Sequence, residues 1–317
     1  MLVIGIDEAG YGPLIGPLCH GYAAFRVEQH GLSEAPDLWK LLHPAVSRDG
    51  KFGVAIGDSK ALYSTEKGFS ILESSVRACI ACAHGGADNS HFDLNMLLPH
   101  GDLEDLTQDA WFNAALQHQP ATVCGDSRAA LTLALAQAGV SILALGARAM
   151  SARAFNAQLQ NHSVNKAGVN WSVAAGELKR LAQLARPGEP VVALLDRQGG
   201  RKFYAPLLCE VFGCALVEIE CEESSRSSYR LESNGRTIRV GFFVHGEALH
   251  LPIALSSMCA KLARELVMLR LNAFFKQHLP QLKPTAGYYT DALRFLKETK
   301  KLRANLAIRD ADFIRLR

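Results

Sequence analysis

Apolar and polar positions alternate along the chain in a pattern that predicts strands separated by helices. LVIGID (residues 2–7) and PLCHGYAAFRV (17–27) are apolar runs on either side of a glycine-containing turn, which is typical of two strands. VVALLD (191–196) is continuously apolar, as a strand covered on both faces is. SILAL, from residue 141, and ALVEIE (215–220) predict two shorter strands.

Helical periodicity fills most of the intervals between these strands. The predicted helices are 65–84, 102–117, 127–138, 172–186, 202–212, 252–278 and 289–301. Asp102, Ser127 and Ser172 are candidate N-caps for three of them, while residues 28–57 predict loops. Asn234-Gly235 lies between two strand-like runs and predicts a two-residue hairpin.

Strands that alternate with helices favour an α/β fold with a largely covered central sheet. A chain of 317 residues is long enough for one large domain. The sequence shows no repeat, low-complexity segment or linker. We therefore expect a single domain over 1–317, of which 252–317 is the helical, basic C-terminal part.

The composition is that of a soluble globular protein, with 49% apolar and 21% charged residues. No apolar run reaches the ~18 residues of a membrane span, and no signal-peptide pattern precedes the first strand. Cys79 and Cys82 form a CxxC motif, but a second pair or nearby ligand histidines are missing, so we interpret them as core thiols. We expect a cytoplasmic protein.

Charge is distributed unevenly along the chain. The net charge is only +3, but from Lys261 onwards thirteen Lys and Arg residues stand against five Asp and Glu residues. A basic tail on an acidic body is typical of a protein with a polyanionic partner. A solvated basic helix explains the same charges equally well.

Two adjacent carboxylates, Asp7 and Glu8, end the first strand in the stretch GIDEAGYG. Successive strand side chains point to opposite faces, so the pair can share a site only if the strand ends there, and Gly10 and Gly12 allow such an end. Close carboxylates repel each other unless a cation lies near them, and oxygen ligands favour Mg²⁺. Ordinary loop acids without a metal are the alternative.

A third acid, Asp196, ends the run VVALLD at the kind of sheet edge where open α/β folds place their ligands. A helix N-cap is the more common role for such a residue. The glycines of the first turn also suggest a dinucleotide site. However, the Gly10 to Gly16 spacing is one residue too long, and Pro13 lies where a helix should offer N–H groups.

Six blocks together resemble type 2 ribonucleases H, the enzymes that cut RNA strands paired to DNA. They follow the order of that family: IGIDEAGYGPLIGPL (4–18), GDSKAL (57–62), LLDR (194–197), HGE (245–247), SSMCAKLARE (256–265) and AGYYT (286–290). The spacing from Glu247 to Lys261 is also that of the family. Order and spacing make this resemblance far more specific than any single block.

The resemblance implies a ribonuclease H-like fold with a central mixed sheet flanked by helices. It implies a two-metal site for Mg²⁺ or Mn²⁺, with these catalytic and metal-binding carboxylates: Asp7, Glu8, Asp196 and Glu247. It implies nucleic-acid contacts from Gly10, Tyr11, Gly12, Lys60, Lys261 and Tyr288. Ser257, Lys261 and Glu265 recur every fourth residue of one predicted helix and so form a polar line on it; an ordinary surface Lys–Glu pair is the alternative.

The chain departs from the family in several places. Tyr11 replaces an arginine and cannot supply its charge, which puts recognition of a single embedded ribonucleotide in doubt. Glu247 and Glu265 stand where aspartates are usual. Segments near 85–150 and 215–245 look inserted, as a lid, a substrate-contacting surface or a dimer contact. Four hairpin arginines are either a nucleic-acid arm or a charged strand edge: Arg226, Arg230, Arg236 and Arg239.

The sequence thus predicts a metal-dependent endoribonuclease that hydrolyses the RNA strand of RNA/DNA hybrids and leaves 5′-phosphate and 3′-hydroxyl ends. Ribonucleotide-containing DNA is the second expected substrate, and we expect no membrane partner and no small-molecule cofactor. The alternatives are a non-catalytic nucleic-acid-binding protein on the same fold and a nuclease for another phosphodiester. The four acids argue against the binding protein, because mutually repelling carboxylates have little use without catalysis.

Overall fold

The computed structural model of this chain describes residues 1–28, 34–64, 68–84, 94–98, 101–113, 121, 125–161 and 165–316. The strands are β1 (Leu2–Ala9), β2 (Leu18–Val27), β3 (Val46–Ser47), β4 (Val54–Ala55), β5 (Val140–Met150), β6 (Val191–Asp196), β7 (Glu218–Glu222), β8 (Arg226–Ser233) and β9 (Arg236–Phe243). The helices are α1 (Leu38–Leu41), α2 (Ser59–Tyr63), α3 (Gly68–Ala83), α4 (Leu94–Leu97), α5 (Asp102–Thr107), α6 (Gly125–Gln137), α7 (Ala152–Asn161), α8 (Lys166–Ala182), α9 (Ala205–Phe212), α10 (Gly246–Leu249), α11 (Leu251–His278), α12 (Tyr289–Asn305) and α13 (Asp310–Phe313).

Seven strands form one mixed sheet in the spatial order β5-β2-β1-β6-β9-β8-β7. β2 is antiparallel to both β1 and β5, whereas β6 is parallel to β1 on one side and to β9 on the other. β7, β8 and β9 pair antiparallel in succession, and β3 pairs only with β4. The predicted α/β architecture, with a mixed central sheet, flanking helices and a helical C-terminal region, is confirmed.

Side chains of β1 alternate between two apolar cores on opposite faces of the sheet. Val3 belongs to the core that contains the buried side chains of α3 and α11. Leu2 and Ile4 belong to the core that contains those of α8 and α9. The alternation determines the surroundings of the two acids at the end of β1: Asp7 faces α11 and Glu8 faces α8.

Helix α11 lies unusually close to the central strands. A Cβ atom added to Gly21 of β2 would lie 1.8 Å from the carbonyl oxygen of Ser256, so no larger residue fits at this position without moving the helix. Gly21 is also the register partner of Asp7. The close approach therefore brings the middle of α11, including Ser257, to the end of β1.

The hairpin and the long C-terminal helix are confirmed. β8 ends at Ser233 and β9 begins at Arg236, and Asn234 has the positive φ of 53° that a tight two-residue hairpin requires. The helix predicted at 252–278 is α11, which begins one residue earlier.

All three N-cap predictions are wrong, and Ser127 lies inside α6, which begins at Gly125. Helix α8 begins at Lys166, and its N-cap is Asn165, whose side chain accepts the N–H of Gly168. Ser172 lies inside α8 and donates to the carbonyl oxygen of Val169. Asp102 is the first residue of α5 rather than its cap, and its carboxylate binds the guanidinium of Arg148, a long-range partner.

Other differences concern lengths and short elements. The strand predicted at SILAL continues to Met150, because β5 pairs with β2 along nearly its whole length. Helix α7 was not predicted, and α1, β3 and β4 lie in the segment predicted as loops. The helix predicted at 102–117 ends at Thr107, and residues 114–117 and 65–67 lie outside the described part of the chain. None of the described helices is both long and apolar enough to cross a membrane.

Candidate active site

Two of the predicted acids lie side by side where β1 and β6 stop pairing with each other. The parallel register of these strands ends with Ile6 opposite Leu195, so Asp7 and Asp196 follow as neighbours on the α11 face. Asp7 is only 7% exposed. Carboxyl ends of parallel strands are the edge at which open α/β sheets place their ligands.

Glu247 reaches the same place from the short helix α10. His245 adopts a left-handed backbone conformation, with φ of 56°, and turns the chain back after β9. The N–H of Gly246 then donates to Oδ1 of Asp196 at 2.8 Å. Glu247 follows directly and is 6% exposed. Asp196 is therefore not a helix N-cap, since the N-caps of α9 and α10 are Tyr204 and His245. It accepts the first N–H of α10 from the end of β6 and remains part of the acidic site.

Ser257 joins the acids to two helices. Its hydroxyl on α11 donates to Oε2 of Glu247 at 2.9 Å and lies 3.0 Å from the hydroxyl of Ser59 at the start of α2. It also lies within hydrogen-bonding reach of Asp7. We did not assign this serine to the site from sequence, although it lies one turn before Lys261 in the polar line predicted for this helix.

Glu8 does not join Asp7 in the manner predicted. The strand was expected to end at Asp7, but β1 stays paired with β2 as far as Ala9. Glu8 therefore points to the opposite face, where the buried side chain of Asn170 on α8 hydrogen-bonds to it. Among the described residues, no three His, Cys, Asp or Glu side chains lie close enough together to hold a metal ion.

The four acids nevertheless interact strongly through their charges. Burial, with the charges of Glu8, Asp196 and Glu247, raises the pKa of Asp7 well above its ordinary value. Burial and the charge of Asp196 raise the pKa of Glu8 to about 7. Burial and Glu247 raise the pKa of Asp196, although the Gly246 N–H opposes the rise. Ionising all four together is therefore unfavourable unless a cation is present.

A lysine already takes the place of such a cation. The ammonium of Lys60 lies 3.7 Å from Oε1 of Glu247, and the Glu247 charge, with those of Asp7 and Asp196, raises the pKa of Lys60. The side chain is 82% exposed, so this ion pair holds it only weakly. The donor set, four mutually repelling carboxylates that attract the Lys60 ammonium, suits a hard divalent ion in its chemistry, although the side chains must move closer together to bind one.

The pKa of Glu8 predicts a pH-dependent difference between wild type and a Glu8→Gln variant. Because the folded-state pKa lies above the unfolded value of 4.5, Glu8 costs stability once the pH rises past that value, and the cost is complete above about 7. Urea unfolding in EDTA should therefore give equal stabilities near pH 4. It should favour the variant by roughly 1–3 kcal/mol at pH 8.

Asn170 provides the check on this result, because its hydrogen bond lowers the pKa of Glu8. An Asn170→Ala change in the wild-type background should enlarge the penalty at pH 8, and in the Glu8→Gln background it should not. A pH-independent difference between wild type and Glu8→Gln would show that Glu8 does not lie in an acidic, buried environment.

The turn after β1 is built around Gly10. Its φ of 84° is in the left-handed region, and a Cβ there would lie 2.8 Å from both Pro17 O and Arg264 Cδ. Gly12, in contrast, has no positive φ, is exposed, and has nothing within 4 Å of a Cβ position. Gly10 is therefore required by the fold. Gly12 leaves open space on the surface next to Tyr11.

Two buried arginines fix this turn from distant parts of the sequence. Arg264 of α11 is 4% exposed and donates to the carbonyl oxygens of Ile15, Pro17 and Ala286. Arg315, near the C-terminus and 2% exposed, donates to those of Gly10 and Pro13. Neither arginine was predicted as part of the site, because nothing local marks a residue whose partners in this turn are more than 240 positions away.

Tyr288 belongs to a loop that is attached to this turn. The carbonyl oxygen of Gly287 accepts the N–H groups of Leu14 and Ile15, and Arg264 binds the carbonyl of Ala286. Tyr288 follows as the residue before α12, and its side chain is 59% exposed. The two segments to which the resemblance assigns nucleic-acid contacts are thus held together, and both are accessible at the surface.

Lys261 is more constrained than predicted. Its ammonium lies 4.0 Å from the ring centroid of Tyr63 and 3.5 Å from Oε1 of Glu265, and only 20% of its side chain is exposed. The Tyr63 hydroxyl donates to the other oxygen of Glu265. The longer glutamate at 265 is thereby explained, because it reaches both Lys261 and the end of α2. Lys261 remains one turn of α11 beyond Ser257.

A scan of protein-family models finds no match to this chain, and no curated protein matches it. Solved structures do resemble it. RNase HII of Archaeoglobus fulgidus, determined in complex with PCNA, is 15% identical with a TM-score of 0.44, over 100% of this chain and 95% of that one. Ribonuclease H2 of Pyrococcus horikoshii OT3 is 13% identical with a TM-score of 0.42, over 99% and 92%. Bst-RNase HIII, in complex with Mn²⁺, is 11% identical with a TM-score of 0.41, over 99% and 66%.

The structural neighbours are ribonucleases of types HII and HIII. Because their TM-scores are below 0.5 and their identities low, we base the functional argument on the residues of the site.

The four hairpin arginines contact acidic side chains and backbone carbonyl oxygens of the protein itself. Arg239 lies 3.2 Å from Glu220 and Arg230 lies 3.8 Å from Glu218, both on β7, while Arg236 donates to carbonyl oxygens at the end of α8. Arg226 lies 4.0 Å from Glu223. These contacts favour the charged strand edge over a nucleic-acid arm.

Proposed function

We propose that this protein is a metal-dependent endoribonuclease that cuts the RNA strand of RNA/DNA hybrids. The observation that carries the proposal is the meeting of Asp7, Asp196 and Glu247 on one face of the sheet edge, with Glu8 coupled to them through charge. Burying so many acids together is costly. A phosphodiester hydrolase that needs divalent cations gives the arrangement a use.

The four carboxylates would hold Mg²⁺ or Mn²⁺, two ions in the proposed site, once metal binding draws them closer together than they lie here, as oxygen donors suit both metals. When bound, these ions would supply an activated water and stabilise the leaving 3′ oxygen, which gives 5′-phosphate and 3′-hydroxyl ends. Ser257 and the Gly246 N–H orient the carboxylates of Glu247 and Asp196. Lys60 is placed to exchange its carboxylate partner for a backbone phosphate when substrate and metal arrive.

Recognition of the hybrid would come from backbone groups and exposed side chains around the site, because hybrids are recognised by shape, 2′-OH and phosphate contacts rather than by base sequence. The turn at Gly10, Tyr11 and Gly12 offers an open backbone, and Tyr288 offers an exposed ring. Lys261 would support the site through Tyr63.

We propose that these parts belong to one domain spanning the chain. Within this domain, we assign a structural role to the segment near 215–245. We assign no nucleic-acid contact to the segment near 85–150.

The deciding experiment compares two labelled duplexes in Mg²⁺ and in Mn²⁺: a continuous RNA/DNA hybrid, and DNA with one embedded ribonucleotide. We expect the hybrid to be cut and the products to carry 5′-phosphates. Cleavage of the second duplex as well would show that the glycine backbone suffices for reading one ribose without an arginine in the turn. Binding of both duplexes with no cleavage in either metal would replace the proposal with the non-catalytic binding protein.

Gly12 gives a test of recognition that leaves the fold alone. Because a Cβ at Gly12 meets no protein atom, Gly12→Ala should fold with an unchanged melting temperature. If the hybrid backbone occupies the open space, steady-state kinetics should show KM for the hybrid rising roughly ten-fold, or about 1.4 kcal/mol. Gly125→Ala, at another glycine with open surroundings, is the matched control, and equal KM values for both variants would place the substrate elsewhere.

A further inference from the structure

The loop that follows Asp196, residues 198–203, is held rigidly at its base. The carbonyl oxygen of Lys202 accepts the hydroxyl of Ser227 at 2.7 Å and lies 3.2 Å from the hydroxyl of Tyr229, which donates to Glu222 at 2.6 Å. The Tyr229 hydroxyl also accepts the N–H of Tyr204, which closes the loop. A backbone fixed in this way presents the side chains of the loop in defined positions.

The side chains that the loop presents are two cations and one aromatic ring. Phe203 is 66% exposed and Lys202 is exposed beside it. Arg201 lies over the rings of Trp171 and Tyr204, with centroid distances of 6.0 and 5.8 Å. Within the described part of the chain, no carboxylate lies within 4 Å of Arg201 or Lys202, and Nη1 of Arg201 is buried without a hydrogen-bond acceptor. The Arg201 side chain is otherwise only partly buried, so its guanidinium and the exposed ammonium of Lys202 are placed to receive anions from the solvent side.

Arg201 also lies next to the turn after β1. Burial and the Glu8 charge raise the pKa of the Tyr11 phenol, and the Arg201 charge opposes them, so the charges of both residues act on Tyr11. On its other side Tyr11 contacts Lys166, whose ammonium is 4.7 Å from the ring centroid. The uncharged Tyr11 is therefore accompanied by positive charge from two other elements.

We propose that residues 198–203 form a binding site for the sugar–phosphate backbone of a nucleic-acid strand, with Arg201 contacting a phosphate beside Tyr11 and Lys202 a phosphate further out. Phe203 offers its ring to the sugar or base between them, as aromatic side chains do in single-strand and hybrid binders. The inference rests on the proposed function, because it takes the strand to be the one held over the acidic site.

The test measures binding of a fluorescent RNA/DNA hybrid to the full chain by anisotropy, in EDTA so that no strand is cut, from 50 to 200 mM salt. Arg201→Ala and Lys202→Ala should each weaken binding several-fold. The double variant should lower the slope of log K against log salt by about 1.8, since each phosphate contact contributes about 0.9. Arg201→Lys keeps both charges of the loop and should therefore keep the wild-type slope. Arg186→Ala, at an exposed arginine paired with Glu28, is the matched control and should bind as wild type does.

A double variant with wild-type affinity and slope would overturn the inference. If Arg201→Ala folds poorly, Lys202→Ala alone still tests the loop, because Lys202 is exposed and its replacement should not affect folding. The result is also separate from the proposed function. If wild type cleaves the hybrid and the double variant has an unchanged slope, the loop is not a binding site, but the proposed nuclease activity stands. If the double variant has a reduced slope but wild type cuts neither duplex, the loop binds nucleic acid, and the proposed nuclease activity is refuted.

Discussion

Asp7→Asn should abolish hydrolysis and at the same time make the metal-free protein more stable. Asp7 is the acid most affected by the others: it is 7% exposed, and Glu8, Asp196 and Glu247 all raise its pKa. Asparagine keeps the shape and removes the charge. We expect hydrolysis of the hybrid to fall by roughly 10³-fold or more, as for other residues that act as part of a catalytic unit.

The higher stability of Asp7→Asn follows from the linkage between proton binding by Asp7 and folding. A carboxyl group whose folded-state pKa is raised favours folding while it stays protonated, and this contribution is lost as the pH rises through the folded value. Wild type therefore loses stability towards alkaline pH at this position, whereas the variant does not. At pH 8 in EDTA, calorimetry should show the variant melting at least about 2 °C higher, which corresponds to roughly 1 kcal/mol.

Divalent ions should reverse the order of the two melting temperatures, so that wild type becomes more stable than Asp7→Asn. Mg²⁺ or Mn²⁺ stabilises the state that binds it in proportion to its occupancy, so the melting temperature of wild type should rise with metal concentration more than that of Asp7→Asn. Asp126→Asn, at an exposed acid on α6, is the control and should change neither activity nor the metal response. Full activity in Asp7→Asn would contradict the assignment of these acids as the active site. Loss of activity with loss of stability would make Asp7 a structural residue.

The sequence predicted best those parts of the site that depend on local pattern. Asp7 and Asp196 were recognisable because each ends a continuous apolar run, and parallel neighbours bring such ends together. Glu247 was found only through its motif, since it follows a left-handed His245 on a four-residue helix that no periodicity marks. The long amphipathic helix was predicted to within one residue, and it carries Ser257 and Lys261 in the expected line.

The parts that were missed depend on contacts between distant residues. Pairing with β2 prolongs β1 to Ala9, and this pairing decides which way Glu8 points. Asp102 has the sequence context of a cap but is bound by Arg148, 46 residues away. Arg315 reaches Pro13 across 302 positions. Local preference is a weak guide wherever a long-range partner offers the same group a stronger interaction.

Gly21→Ala should produce the largest loss of stability among the single-methyl changes proposed for this chain. The added Cβ would lie 1.8 Å from the backbone oxygen of Ser256, and a backbone atom cannot rotate away as a side chain can. Helix α11 must therefore move off the sheet and lose part of its buried surface. We expect a loss of about 3 kcal/mol or more in urea unfolding, at the upper end for overpacking.

Gly176→Ala is the matched control, because the same methyl group there, in the middle of α8, has nothing within 4 Å. It should stabilise the protein by roughly 0.5–1 kcal/mol, since alanine loses less conformational freedom than glycine in a helix. The pair also tests the site. Displacing α11 moves Ser257 away from Asp7 and Glu247, so any folded Gly21→Ala protein should be deficient in cleavage, whereas Gly176→Ala should cut normally. If Gly21→Ala were as stable and active as wild type, α11 could not lie as close to β2 as the contact with Ser256 requires, and the serine bridge between the acids would have to be abandoned.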